Sequence, residues 1–489
     1  MRGRNRIKAQ MSEYFRDEVA RPGIVLEYEH GFDELILLNR AYAKMLAAEN
    51  IITPDEARTI LDGLTWVEEN FSADDIDGKY EEIYFNVEQK LIQRIGLEVG
   101  GRLHTGRSRN DIYATLWRME TRKALLQLCR SVLDLQTRML DLAKKYRRTI
   151  VTGYTHMQPA QPITVGYYYA AAVEVLQRDF QRLQAAYRNA NQCTLGAAAL
   201  AGTTFPIDRD KLEKLLGFEG TIANALDCVG TKDYLLEAES AFAIMAVNLS
   251  RMAHDHYIWC TNEFGILNIG GEVAICSSIM PQKKNPVTFE MIKSKSANAI
   301  GSFATGSAVM KNTPFSLCMD LFETQASFWS GFKSTLDAVN LFAETLKFVT
   351  FDEERAYLAA KKNFSTVTAL ADFLVGKFRI SFAQAHDIVG EMVGAVTDGG
   401  GNISDMTAEL LSNCAEKILG RGLDVTDDEI LSVLDPSANV RGKISAGSCG
   451  EVPLRNMLDD AKRIFDMQTD WLAAKTSSIA AAYQQLRAD

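Results

Sequence analysis

Three short stretches gather hydroxyls, amides and cations at spacings that could do chemistry on a carboxylate. The first is Leu103-His104-Thr105-Gly106-Arg107-Ser108-Arg109-Asn110-Asp111. It stands just before a long helical window, and a helix N-terminus offers free N–H groups and a partial positive charge, so it suits an anion. Ser108, Arg109 and Asn110 add donors that match a carboxylate. An ordinary N-cap with solvated charges would use the same residue types. The second stretch is Gly153-Tyr154-Thr155-His156-Met157-Gln158-Pro159-Ala160-Gln161-Pro162-Ile163-Thr164. Its glycine and prolines predict a rigid turn between two long helices, carrying Thr155, His156 and Gln158. His156 would be an acid, a base or simply an exposed loop histidine. The third is Cys276-Ser277-Ser278-Ile279-Met280-Pro281-Gln282-Lys283-Lys284-Asn285-Pro286. Gly270-Gly271 hinges and a polar tip suit a mobile lid over a site, and equally a flexible surface loop.

These stretches punctuate long windows that lack Gly and Pro: 107–152, 167–195, 231–264 and 332–375. Such windows are far longer than strands and are rich in good helix formers. In the first window Leu116, Met119, Leu126, Cys129, Leu133, Leu140 and Ala143 recur at helical spacing, which predicts one apolar stripe on one long helix. Helices of this length bundle, often between subunits. Strand signals are weak throughout. The expected architecture is therefore all-α, with an N-terminal helical domain (1–104), a central long-helix domain (105–350) and a C-terminal domain of shorter helices (351–489).

Composition sets the outer bounds. The chain has 489 residues, 47% hydrophobic and 24% charged, with a formal net charge of -10. That balance fits a soluble globular protein and disfavours a nucleic-acid partner, which wants a basic field. It leaves room for an anionic substrate held by a few local cations. The eight cysteines are scattered, with no C-x-x-C pair, so a reducing cytoplasm is the natural compartment and a structural zinc is not expected. The start of the chain, Met1 to Gln10, is basic but is followed by no apolar run, so it does not read as a secretory signal. No stretch is long and apolar enough for a membrane span.

Taken together, Gly-Arg-Ser-Arg-Asn-Asp, Gly-Tyr-Thr-His-Met-Gln-Pro-Ala-Gln-Pro and Ser-Ser-Ile-Met-Pro-Gln-Lys-Lys-Asn-Pro resemble the three signature regions of the fumarase/aspartase superfamily. The Gln-Lys-Lys-Asn form is similar to the argininosuccinate lyase branch in particular. The resemblance extends to Arg40–Thr53, Glu82–Leu91, Ala369–Val375 and Phe382–His386. It implies a β-elimination that breaks a C–N bond and releases fumarate, here argininosuccinate to arginine plus fumarate, a step of arginine biosynthesis. By resemblance, Ser277 is the general base, with Lys283, Asn285 and backbone N–H groups stabilising its alkoxide. His156 is the acid or charge-stabilising partner, oriented by Glu290, which could otherwise be an ordinary exposed helix residue. Ser108, Arg109, Asn110, Thr155, Gln158, Ser278, Lys283 and Asn285 would hold the substrate carboxylates. The resemblance implies no metal and no organic cofactor. It also implies a homotetramer, with a shared twenty-helix bundle and each site drawn from three subunits.

The fumarate half of the pattern is intact and the amine half departs from it. In Pro314-Phe315-Ser316-Leu317-Cys318-Met319-Asp320-Leu321-Phe322-Glu323-Thr324, the branch's substrate-contacting Tyr is Leu317 and its Gln is Phe322. The Lys expected next falls at Gln325. Around Ile24–Tyr28 the usual Ser and Asp are missing, the usual His of Glu-Asp-Ile-His is Tyr84, and the Gly before the serines is Cys276. Losing hydrogen-bonding partners for a polar substrate costs recognition on the order of ten-thousand-fold. Two alternatives therefore stand beside the first reading: a paralogue that cleaves a different N-substituted aspartate, and a non-catalytic, crystallin-like helical scaffold. Retention of Ser277, His156 and Lys283 argues against the scaffold. Leu317 and Phe322 would be plain core residues if the register shifts.

Overall fold

The computed structural model describes residues 9–488. Most of the basic start of the chain, residues 1–8, lies outside the described residues. Among the described residues the chain is helical apart from three short two-stranded sheets and short turns and loops.

The N-terminal helices are α1 (Arg21–Ala48), α2 (Pro54–Asn70), α3 (Ile83–Ile95) and the single turn α4 (Leu97–Gly100). Thr53 and Glu56 cap α2 reciprocally, Thr53 N–H donating to Glu56 Oε2 at 2.8 Å and Glu56 N–H to Thr53 Oγ1 at 3.2 Å. Pro54 fills the first helical position, where no N–H is needed. The apolar faces close around Leu35, Ile36, Leu64 and Leu91.

α5 (Arg109–Lys145) has 37 residues, and every residue of its predicted stripe is buried. At 1.5 Å per residue it is about 55 Å long. A hairpin of β1 (Ile150–Thr155) and β2 (Gln158–Thr164) turns the chain into α6 (Val165–Ala190), which packs back along α5. Gly166 permits the close crossing: a Cβ there would lie 2.5 Å from the Ala143 carbonyl oxygen. Short helices α7 (Arg209–Leu215) and α8 (Ala225–Gly230) precede α9 (Asp233–Trp259). Beyond it come β3 (Leu267–Ile269), a hairpin of β4 (Ile275–Cys276) and β5 (Lys284–Asn285), then α10 (Val287–Met310) and α11 (Asp320–Thr345). Glycine again sets the packing distance, since a Cβ at Gly306 of α10 would meet Glu239 Oε2 at 2.3 Å and Ser327 Oγ at 3.0 Å.

The 332–375 window is not one helix. α11 stops at Thr345, and β6 (Val349–Phe351) pairs with β3 before α12 (Glu353–Lys362) begins. Asp352 accepts the Arg355 N–H at 2.9 Å and so starts α12 without any Gly or Pro. α13 (Val367–Phe378), α14 (Phe382–Asp398), α15 (Ala408–Leu419), α16 (Asp427–Leu434) and α17 (Pro436–Arg441) follow, most of them around a separate core that includes Leu370, Ile388, Met392 and Ile430. The last helix, α18 (Glu451–Ala488), has 38 residues, whereas the sequence suggested shorter ones. It runs back along α5 and α6 and is fixed by polar bonds. Gln136 Nε2 donates to Gln468 Oε1 at 3.0 Å, and Arg122 Nη2 donates to Tyr483 Oη at 2.9 Å. No helix among the described residues is long and apolar enough to cross a membrane.

Candidate active site

The first motif is the cap of α5. Ser108 is the N-cap, its Oγ accepting the Asn110 N–H at 3.3 Å while its own N–H donates to Asp111 Oδ1 at 2.9 Å. Asp111 Oδ2 also accepts the N–H groups of Gly196 and Ala198 at 2.9 and 3.0 Å. Burial pushes the Asp111 carboxyl up to about 6 against these donors. Asn110 Nδ2 donates to the Ala199 carbonyl at 2.9 Å, so the 196–199 loop is tied to the motif. Arg109 faces Glu82 at 3.1 Å and Glu81 at 3.7 Å. Burial pushes the Glu82 carboxyl up to about 7 despite that arginine.

Sequence reasoning gave Arg107 and His104 no role, yet both build this corner. Buried Arg107 donates to Asn39 Oδ1 at 2.7 Å and lies 4.5 and 5.5 Å from the Tyr42 and Tyr84 ring centres. The Tyr84 hydroxyl lies 2.6 Å from His104 Nδ1 and donates to Glu88 Oε1 at 3.2 Å. Tyr84, a departure from the pattern, thus links the loop to α3. The signal was available: a cation and a histidine beside three donor residues.

The second motif is a β-hairpin rather than a plain interhelical turn. Thr155 pairs with Gln158, and His156 and Met157 form the two-residue tip with φ of 52° and 58°. Both lie in the left-handed region that such hairpin turns require and that Gly or Asn usually fills. Holding two residues with side chains there costs about 1–3 kcal/mol each. Pro159 and Pro162 sit within β2, opposite Tyr154 and Thr152. Thr155, His156 and Gln158 are all exposed.

The third motif is also a hairpin, β4 with β5, and Ser277 is the first residue after β4. Its Oγ accepts the N–H groups of Met280 at 3.0 Å and Ile279 at 3.3 Å. The Ser277 N–H donates to the Lys283 carbonyl at 3.3 Å, which closes the loop. Ser277 is half-buried, as is Asn285, while Ser278 and Lys283 are exposed. Glu290 lies in the first turn of α10 and is exposed. It faces Tyr257 and raises that phenol's pKa, and Lys293 lies 4.5 Å from the same ring centre.

A single chain does not bring these groups together. Ser108 starts α5 and the His156 hairpin follows its far end, about 55 Å away along the axis. The second and third motifs do share an end of the bundle, where the Tyr154 ring lies 5.6 Å from Phe264 and Tyr146 lies 5.0 Å from Phe351. Among the described residues no hydrogen bond or ion pair joins His156, Glu290, Ser277 or Lys283 side chains to one another.

Comparison with known proteins identifies the family of the chain. A family model described as "Lyase" matches residues 8–301, and one described as "Argininosuccinate lyase C-terminal" matches residues 364–441. Argininosuccinate lyase 1 of Shouchella clausii is 37% identical over 94% of this chain and 92% of its own. The chain belongs to the fumarase/aspartase superfamily, in its argininosuccinate lyase-like branch. Argininosuccinate lyase of Methanothermobacter thermautotrophicus is 34% identical over 94% of this chain and 98% of its own. Among solved structures, EDDS lyase in complex with formate superposes with a TM-score of 0.87 and 29% identity, covering 98% of this chain and 95% of that one. The chain is accordingly a carbon–nitrogen lyase.

Against the pattern of this lyase branch, the amine-half positions are packed rather than open. Phe322 stands edge-on to Trp117 with ring centres 4.9 Å apart, and 5.9 Å from Tyr113. Tyr28 lies between Phe32 at 5.1 Å and Phe71 at 5.9 Å, Ile24 is buried and Leu317 is half-buried. Gln325 Nε2 donates to the buried Glu120 Oε2 at 2.5 Å. Charged groups that sequence reasoning did not single out lie close by. Glu27 Oε2 accepts the Ile83 N–H and the Tyr113 hydroxyl, each at 2.9 Å, and burial pushes its carboxyl up to about 8. Buried Lys232 donates to the Val229 carbonyl at 2.9 Å, and burial brings its ammonium down to about 7.

Proposed function

We propose that this lyase cleaves argininosuccinate to arginine and fumarate. The observation that carries the reading is the near full-length likeness to curated argininosuccinate lyases. Ser277 takes the proton from the carbon next to one carboxylate. The two N–H groups that already point at Ser277 Oγ would stabilise the alkoxide it must become, because charge-assisted bonds to an oxyanion are about twice as strong as neutral ones. Lys283 and Asn285 add positive potential on the same hairpin. The resulting dianion is held by Ser108, Arg109 and Asn110 at the α5 N-terminus, with Thr155, Gln158 and Ser278. C–N cleavage then follows, with His156, paired to Glu290, protonating the nitrogen or balancing its charge.

Because α5 separates Ser108 from His156, these roles require several copies of the chain, and we propose a homotetramer with each site drawn from three subunits. The outward face of α10 supports that assembly. It exposes Met291, Ser294, Ala297, Gly301, Ala304 and Ala308, a stripe small enough for a second backbone to approach closely. We keep the division at 1–104, 105–350 and 351–489 with α18 rejoining the central bundle, and a cytoplasmic setting, which the eight free cysteines support.

A second reading is a lyase acting on a different N-substituted aspartate. The packed Ile24 and Phe322 favour it, since neither side chain offers a hydrogen-bond acceptor to a guanidinium, and the Tyr28 ring is held between Phe32 and Phe71. Fumarate release followed by ultraviolet absorbance decides. Turnover of argininosuccinate with kcat/KM above about 10⁴ M⁻¹s⁻¹ supports the first reading. No turnover of argininosuccinate, with reverse amination of fumarate by another amine, supports the second.

A further inference from the structure

At the base of the His156 hairpin lies a cavity of about 740 Å³ walled by α5, β1, β2, α17 and α18. Six cations line it, Lys144, Arg147, Arg148, Arg441, Arg455 and Lys462, against two carboxylates, Glu451 and Asp459. This excess stands on a chain whose formal net charge is -10. Arg148 binds Glu451 at 2.8 Å, and Lys462 contacts Asp466. Lys144, Arg147, Arg441 and Arg455 form no ion pair with a carboxylate among the described residues. One of the two carboxylates already feels the field of this cluster: Arg148, then Arg147 and Arg455, hold Glu451 below the ordinary glutamate range. The floor is apolar, made by Ile150, Leu454 and Leu458. Planar guanidinium forks suit phosphoryl oxygens, and the volume falls within the usual range for a small-molecule site.

The cavity is separate from the candidate active site but attached to it. Ile150 and Thr164, the pair that opens the hairpin, both line it. The surrounding turn grips the same hairpin and the helix that follows it: Lys443 Nζ donates to the Pro162 carbonyl at 3.3 Å, and the Tyr167 hydroxyl of α6 donates to the Gly447 carbonyl at 3.0 Å. Along β1, His156 lies about 20 Å from Ile150.

We propose that this cavity binds a small organic phosphate, a ligand with at least two phosphoryl charges and an apolar or aromatic body, and that its occupancy tightens the hairpin that carries His156. The charged rim takes the phosphates and the apolar floor takes the body.

Titration calorimetry on the full-length protein, with ATP, pyrophosphate and fumarate as probes, tests the binding. ATP is expected to bind at least tenfold more tightly than pyrophosphate and to weaken with salt. The double variant Arg147→Ala/Arg455→Ala should lose at least tenfold in ATP affinity, as should the single variant Arg441→Glu, with circular dichroism unchanged. Hydrogen exchange of the 150–164 amides should slow on ATP addition in the unsubstituted protein and not in the double variant. No heat at millimolar ATP, or equal ATP affinity in both variants, overturns the site. Fumarate binding lost in the variants without any ATP binding overturns the phosphate assignment in favour of a dicarboxylate. ATP binding with unchanged exchange in the hairpin overturns the coupling. None of these readouts depends on which amine the enzyme releases.

Discussion

Glu27 makes the fold's stability depend on pH in a direction opposite to that of a salt-bridged carboxylate. Its side chain is buried and its carboxyl is moved from 4.5 up to about 8, chiefly by desolvation with the Glu82 charge adding to it. The folded state therefore binds this proton more tightly than the unfolded chain. Below about 4.5 both states are protonated and the group costs nothing. As pH rises from there to about 8 the unfolded chain gains by ionising and stability falls. At about 1.4 kcal/mol per pH unit, the loss across this window is about 5 kcal/mol. Glu27→Gln removes it. Both hydrogen bonds from Ile83 and Tyr113 go to a single oxygen, Oε2, so the amide oxygen of glutamine can accept both while the amine takes the other place. Urea unfolding at pH 5, 7 and 8.5, at one fixed protein concentration, should show the variant gaining on the unsubstituted protein by several kcal/mol between the first and last conditions. Parallel pH profiles for the two proteins would refute the reasoning.

Further outcomes follow from the site geometry. Ser277→Ala should lower turnover by about 10³-fold or more while leaving assembly by light scattering unchanged, and a near-normal rate would remove Ser277 as the base. Asp111→Asn should cost about 1–3 kcal/mol in thermal or urea unfolding, because the Ser108 N–H, one of three donors, is left facing an amine; an unchanged midpoint would show that the cap of α5 does not depend on it. Ser108→Ala and Ser277→Ala proteins, each inactive, should recover fumarate release when unfolded and refolded together, since mixed assemblies hold some sites with every motif intact. Recovery no greater than that of each variant refolded alone would argue against shared sites. Gly166→Ala should destabilise by several kcal/mol through the clash with the Ala143 carbonyl, and a soluble, equally stable variant would contradict the packing described.

Residue types and spacing by themselves determined the long helices without glycine and the three polar motifs. The stripe from Leu116 to Ala143 is buried throughout because an α-helix turns local spacing directly into a face. The same local logic singled out Ser108, His156 and Ser277, whose roles the variants above test. It missed helices built with glycine inside them, as in α10, where Gly306 exists for a neighbour and not for the helix. It missed the hairpin around His156, because Pro159 and Pro162 argue against a strand that only its partner β1 makes possible. It could not see that α18 returns across the chain to α5, that Phe322 would close on Trp117, or that Glu27 and Lys232 would be stripped of water. Those outcomes depend on contacts between residues far apart in sequence, whose energies come from burial and from the neighbour that fills each space. Local periodicity carries no record of that neighbour, so only the tertiary structure decides them.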